Sequence, residues 1–255
     1  LVLGLLTLAG CGGGQTAASG SADAAGELVD LKVAATSVPH AEILNAMKDA
    51  CAAEGVNLIV TEYTDYIIPN TAVESGEEDV NYFQHLPYLE DFNAENGTHL
   101  VSVAGIHYEP MGLYAKEEGK TIDDVAEGAV IAVPNDPTNE ARSLQLLADN
   151  GLITLKEDAG LAATPKDITE NPLNIEFMEL EAAAVARALD DCDFAVLNGN
   201  YALEAELTAA NGLVFEASDS IAAQPFQNII VVKEGNENNE AVQKLVKVLT
   251  SEECK

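Results

Sequence analysis

Arg142 is the side chain in this sequence best placed to grip a small anion. The apolar run Val130-Ile131-Ala132-Val133 reads as a buried strand stopped by Pro134, and Asn135-Asp136-Pro137-Thr138-Asn139 offers a turn with several helix caps. The stretch from Glu140 to Leu147 then has helix-forming composition with apolar residues on one face. A strand that feeds straight into a helix leaves the first helical N–H groups over the sheet edge, where they form an anion site. Arg142 adds a two-pronged guanidinium to that space, which suits a planar carboxylate. The plainer alternative is an exposed Arg142 paired with Glu140 or another acid.

Charge sharpens the choice. Lys and Arg together number 12 against 43 Asp and Glu, a formal net charge of -31, so the surface repels polyanions and nucleic acid and phospholipid headgroups are poor partners. Arg142 and Arg187 are the only arginines. A guanidinium that scarce, beside a helix start, points to a ligand or a specific buried partner rather than to surface charge balance.

Other polar and aromatic groups fall where strands end: Tyr66, the run from Tyr82 to Tyr88, Asn139, Asn198-Gly199-Asn200-Tyr201 and Pro225-Phe226-Gln227-Asn228. Taken singly, Phe83 and Tyr88 fit a core, His85 fits a loop and the asparagines fit turns. Taken together they describe a cleft lining. An enzyme built on His85 as base, with Tyr82, Tyr88 or Glu90 nearby, lacks a nucleophile elbow, a supported carboxylate pair and metal-ligand spacing. No metal or cofactor is expected.

The elements that must position these groups alternate strand and helix, giving an α/β protein. Strands are expected at 31–35, 58–63, 79–83, 100–105, 130–133, 174–180, 194–197 and 229–232, with helices at 41–54, 69–76, 86–96, 140–150, 182–189 and 240–249. A short helix begins at Ile122 to Ala126. The segment from Tyr108 to Ala115 contains Pro110 and Gly112 and is expected to be a crossover rather than a central strand. The pattern restarts after it, so two lobes are expected, the last strand and helix completing the first: 30–110 with 223–255, and 111–222.

The N-terminal run ending Leu8-Ala9-Gly10-Cys11 resembles the end of a bacterial lipoprotein signal, residues 1–10 being the signal remnant. Cys11 would then carry lipid, and the Gly/Ala/Ser-rich stretch within 11–29 reads as a flexible tether holding a domain at the outer face of a cell membrane. Cys51, Cys192 and Cys254 read mainly as small core residues or unpaired thiols, with Cys51 and Cys254 a candidate bridge.

Several stretches carry a resemblance: Asp65-Tyr66, Asn81 to Leu89, Glu109-Pro110-Met111-Gly112, Pro134 to Asn139 with Arg142, Glu179 to Ala183, and Asn198 to Ala202 closely resemble the NlpA family of lipoproteins, from Leu31 to the C-terminus. The resemblance implies a two-lobed periplasmic-binding-protein-like fold of type II, each lobe a mixed sheet flanked by helices, with the ligand in the interlobe cleft. It implies an extracytoplasmic, monomeric receptor, not an enzyme, that binds methionine and delivers it to an ABC permease and its ATPase. Another small amino acid or a dipeptide is the alternative ligand, and an adhesin the alternative role. The family pocket maps onto Tyr66, Phe83, His85, Tyr88, Asn139, Arg142, Asn198 and Asn228. In that mapping Arg142 holds the α-carboxylate, the asparagine carbonyls accept from the ammonium or add carboxylate contacts, and the aromatic groups enclose the thioether. Phe226-Gln227 departs from the family pattern at the pocket rim.

Overall fold

The computed structural model describes residues 27–217 and 225–254. Cys11, the signal-like run and most of the tether lie outside the described residues. In chain order the strands are β1 (Val29–Thr36), β2 (Val56–Tyr63), β3 (Val80–His85), β4 (Leu100–Tyr108), β5 (Gly112–Ala115), β6 (Val130–Pro134), β7 (Thr154–Leu155), β8 (Ile168–Glu170), β9 (Glu176–Leu180), β10 (Phe194–Leu197), β11 (Gly212–Phe215) and β12 (Gln227–Lys233). The α-helices are α1 (Glu42–Ala46), α2 (Lys48–Ala53), α3 (Ile68–Ser75), α4 (Leu86–Asn96), α5 (Pro137–Asp149), α6 (Ala182–Val185), α7 (Gly199–Glu204) and α8 (Glu240–Leu249).

Two five-stranded mixed sheets result, ordered β2-β1-β3-β12-β4 and β11-β5-β10-β6-β9. The last strand, β12, inserts antiparallel between β3 and β4, so the C-terminal segment closes the sheet that the N-terminal segment begins. Each sheet has its own apolar core. In the first, Leu31, Val33, Val80 and Ile230 pack against the α8 stripe Ala241, Val242, Leu245, Val248 and Leu249. In the second, Ile131 and Val133 of β6 pack against Leu144 and Leu147 of α5. The chain passes between the sheets at β4 to β5 and again from β11 to β12.

Three expectations need correction. The expected helix over 41–54 is interrupted at Met47, between α1 and α2. Gly112–Ala115 is not part of a crossover but an interior strand, paired antiparallel with both β10 and β11. Pro110 precedes it and so removes no ladder donor, and at Gly112 a Cβ would lie 2.7 Å from the Phe215 ring, an approach only glycine allows. Cys51, Cys192 and Cys254 are free thiols, so the candidate bridge between Cys51 and Cys254 is not formed.

Candidate functional site

Strand ends from both sheets converge on one cavity, and all eight residues singled out in the sequence line it: Tyr66, Phe83, His85, Tyr88, Asn139, Arg142, Asn198 and Asn228. Gln84, Glu109, Gly199 and Asn200 complete the wall. The cavity, counted with its mouth open to solvent, holds about 320 Å³ of space free of atoms, and it is narrow. This is a closed arrangement that must widen to admit an amino acid.

The first sheet supplies the aromatic side. Asp65 Oδ1 accepts from the Ile67 and Ile68 N–H groups, which fixes the turn that presents Tyr66 at the entrance to α3. Tyr66 lies 5.5 Å from Phe83 and 5.7 Å from Tyr88, ring centre to ring centre, and the Tyr88 hydroxyl donates to the Tyr66 carbonyl at 3.1 Å. These are ordinary packing distances for aromatic rings. From the other sheet, Tyr201 of α7 reaches across to 4.9 Å from Tyr66.

The second sheet supplies a wired polar side whose hydrogen-bond directions can be followed from one end. The Asp136 carboxylate accepts from the Asn139 N–H at 3.0 Å and from Asn139 Nδ2 at 2.9 and 3.0 Å. A carboxylate that accepts turns the nitrogen end of the Asn139 amide toward it, leaving Asn139 Oδ1 to face the cavity groups. There Oδ1 accepts from Asn198 Nδ2 at 2.9 Å and meets His85 Nε2 at 3.1 Å. His85 Nδ1 accepts the N–H of Tyr88 at the start of α4, so the proton sits on Nε2. Burial, then the Arg142 charge, lower the His85 pKa to about 3, which keeps the ring neutral near pH 7.

Two consequences differ from expectation. The N-terminus of α5 is not an open anion site, because the Asp136 side chain caps it; an Asx cap competes for the same N–H groups that a ligand would use. Asn139 Oδ1 already faces two donors, so it has little capacity left for an ammonium. Two buried polar atoms of the lining are without partners instead: Asn198 Oδ1 and Asn200 Nδ2.

Arg142 is neither exposed nor solitary. Its side chain is 4 % accessible; Nε and Nη2 donate to Glu216 Oε1 and Oε2 at 2.7 and 2.6 Å, and Nη2 also donates to the Glu109 carbonyl at 2.9 Å. The acid partner is Glu216, at the end of β11, and not Glu140. Tyr108 Oη and the Met111 N–H donate to the same Glu216 carboxylate, at 2.8 and 2.9 Å. Phe226, where the sequence departs from the family pattern, is buried with its ring centre 4.4 Å from the guanidinium carbon, a cation–π contact that holds the fork from its other face. Arg142 Nη1 takes part in none of these bonds.

Sequence reasoning gave no site role to His40, Glu109 or Glu216, and named Asn200 only within the candidate stretch from Asn198 to Tyr201. His40, fully buried in the turn after β1, contacts Thr36 Oγ1 through Nδ1 at 2.7 Å and Asn228 Oδ1 through Nε2 at 3.0 Å, and so orients Asn228. Burial lowers its pKa to about 4, against the opposing pull of Glu109. His40 and Glu109 follow the ends of strands expected in the sequence, the signal that could have raised them; Glu216 follows β11, which carries no such signal.

A family model described as NlpA lipoprotein matches residues 31–255. The D-methionine-binding lipoprotein MetQ of Escherichia coli O157:H7 is 41% identical over 211 residues, 82% of this chain and 76% of that protein. A nutrient binding protein from Burkholderia cenocepacia, solved bound to methionine, is 40% identical with a TM-score of 0.83, over 88% of this chain and 93% of that one. An ABC transporter periplasmic substrate-binding protein from Coxiella burnetii is 36% identical with a TM-score of 0.81, over 88% of this chain and 93% of that one.

Proposed function

The chain belongs to the NlpA lipoprotein family, and on that premise we propose that the cavity between its two sheets receives methionine through Tyr66, Phe83, His85, Tyr88, Asn139, Arg142, Asn198 and Asn228. The protein is a methionine-binding lipoprotein, the substrate-binding component of an ABC transporter, and not an enzyme. One observation carries the assignment of residues: Tyr66, Phe83 and Tyr88 make one aromatic stretch of the cavity wall, and Asn139, Arg142, Asn198 and Asn200 face it with polar groups, two of them with unpartnered amide atoms. An amino acid with an apolar tail has the same division.

In this reading the thioether lies among Tyr66, Phe83 and Tyr88, where sulfur against an aromatic ring is favourable by roughly 0.3–1.5 kcal/mol per contact. The carboxylate meets Arg142 Nη1 and Asn200 Nδ2. Asn139 acts as a brace, holding His85 and Asn198 in register. Bonds between the two sides, such as the Tyr66 hydroxyl on Asn200 Oδ1 and the Tyr201 hydroxyl on the Thr64 carbonyl, favour the closed form, and a ligand touching both sides favours it further. The closed pair of lobes is then what a membrane permease, powered by its ATPase, recognises, with lipid on Cys11 keeping the receptor at the extracytoplasmic surface. His85 has both ring nitrogens engaged, which argues against the role of general base.

Native mass spectrometry of the protein as purified tests this directly. The expected result is a bound species with the mass of methionine that leaves on gentle activation; a different bound mass overturns the methionine assignment.

A further inference from the structure

Glu109 stands in the crossover from β4 to β5, and its Oε1 faces two histidines that do not line the cavity. It accepts from His107 Nε2 at 2.6 Å and lies 3.4 Å from His40 Nε2. His40 is fully buried, and the side chains of Glu109 and His107 are 11% and 23% accessible. Among the described residues, these three form the one group of His, Cys, Asp or Glu side chains whose ligand atoms all lie within 4.8 Å of one another. They are far apart in the sequence, so no ligand spacing announces them. A further oxygen is at hand: Asn228 is the ladder partner of His107 across β12 and β4, and its Oδ1 lies 3.0 Å from His40 Nε2.

Protons serve this corner poorly. A single N–H on His40 Nε2 faces two acceptors, Asn228 Oδ1 and Glu109 Oε1, and the longer contact exceeds ordinary hydrogen-bond length. A divalent cation placed among the four atoms would satisfy all of them at once. Bonds of about 2.0–2.1 Å to a tetrahedral zinc set neighbouring ligand atoms about 3.4 Å apart. The separation of His40 Nε2 from Glu109 Oε1 already has that value, and the two shorter contacts need to open by less than about 1 Å. The imidazoles are also braced for a metal: His40 Nδ1 meets Thr36 Oγ1 at 2.7 Å, and His107 Nδ1 meets the Tyr82 hydroxyl. A hydroxyl can accept as readily as it donates, so each Nδ1 can hold the ring proton while Nε2 gives its lone pair to the ion.

We propose that His40 Nε2, His107 Nε2, Glu109 Oε1 and Asn228 Oδ1 form a four-coordinate zinc site beside the cavity. The site goes beyond the amino-acid reading and does not depend on it. Two imidazoles with a carboxylate suit zinc, whereas calcium and magnesium ask for larger shells made of oxygen. Two of the four ligands stand at the two passages between the sheets, Glu109 from β4 to β5 and Asn228 just after the passage from β11 to β12. A metal held by both joins the segments on which the lobes turn. Because it binds the folded chain alone, zinc also raises the melting temperature.

The test is calorimetric titration of the chelator-treated full chain with zinc chloride, with calcium chloride as the control for the diffuse negative charge of the surface. The expected result is one zinc per chain, bound about 100-fold or more tighter than calcium. His107→Gln, which removes a ligand, should lose most of that preference, and Thr36→Val, which removes only a brace, should weaken zinc binding about tenfold. Zinc bound no more tightly than calcium, or equally well by the wild type and His107→Gln, overturns the site. Should His107→Gln fail to fold, the cobalt-loaded wild type decides. Two imidazole N–H proton resonances shifted by the paramagnetic ion support the site, and their absence overturns it.

Discussion

The two sides of the cavity are built on different principles. Tyr66, Phe83, Tyr88 and Phe92 form a small cluster held by packing, in which a ring can be exchanged for another apolar group at modest cost. On the facing side Asp136, Asn139 and Asn198 form one chain of directed bonds that reaches across to His85 at the end of β3, and Arg142 is gripped by Glu216. There each group sets the orientation of the next, so one change is felt by several neighbours. The packed side admits a flexible tail, whereas the wired side dictates which end of the ligand goes where.

The largest break in this comparison comes from Arg142→Ala. Leaving the Glu216 carboxylate largely buried and unpaired costs about 3–5 kcal/mol of stability, read by urea denaturation. Adding Glu216→Ala restores most of that stability but not methionine binding, because the carboxylate donor is still missing. Recovery of binding in the double variant would remove Arg142 from the ligand site.

Next in size is Asp136→Asn. An amide at this position no longer dictates which end of Asn139 faces it, so the bonds to His85 and Asn198 lose their fixed direction. Methionine should bind about tenfold more weakly, about 1.4 kcal/mol by calorimetry, with little change in fold. On the packed side, Phe83→Leu should cost only about 1 kcal/mol of binding, the scale of a sulfur–ring contact. An equal or larger loss there than for Asp136→Asn would erase the distinction between the two sides.

The smallest effect concerns Glu140, buried on α5 outside the cavity lining, whose pKa is pushed up to about 7 by burial and then by Glu179 and Asp136. The native state therefore binds this proton more tightly than the unfolded chain. The stability it contributes is complete below about pH 4.5 and is lost as pH rises through 7. Glu140→Gln should raise the melting temperature at pH 8 by a few degrees, about 1 kcal/mol, and leave it unchanged near pH 4.5.

The packed side was legible in the sequence and the wiring was not, for a physical reason. Tyr66, Phe83 and Tyr88 declare themselves by residue type at strand ends. The partner of Arg142 lies 74 residues away, at the end of a strand, β11, that the sequence pattern did not reveal at all. Asp136 was visible as a helix cap, yet whether its own side chain or a ligand takes the first N–H groups depends on a rotamer that composition does not encode. The same division holds in the fold. Helix α4, bounded by Leu86-Pro87 and Gly97, and helix α8, with its stripe of Ala241, Val242, Leu245, Val248 and Leu249, follow from local signals. The interior strand Gly112–Ala115 is defined by partners distant in sequence, Phe194–Leu197 and Gly212–Phe215, and its own glycine argued against it.

The most direct measurement is the titration of ligand-stripped protein with methionine, run side by side on the wild type and on the Arg142→Ala, Glu216→Ala double variant. One-to-one binding in the first and none in the second is the predicted result. Equal affinity in both, or no binding heat in a folded wild type, would contradict an amino-acid site held between an arginine fork and an aromatic wall.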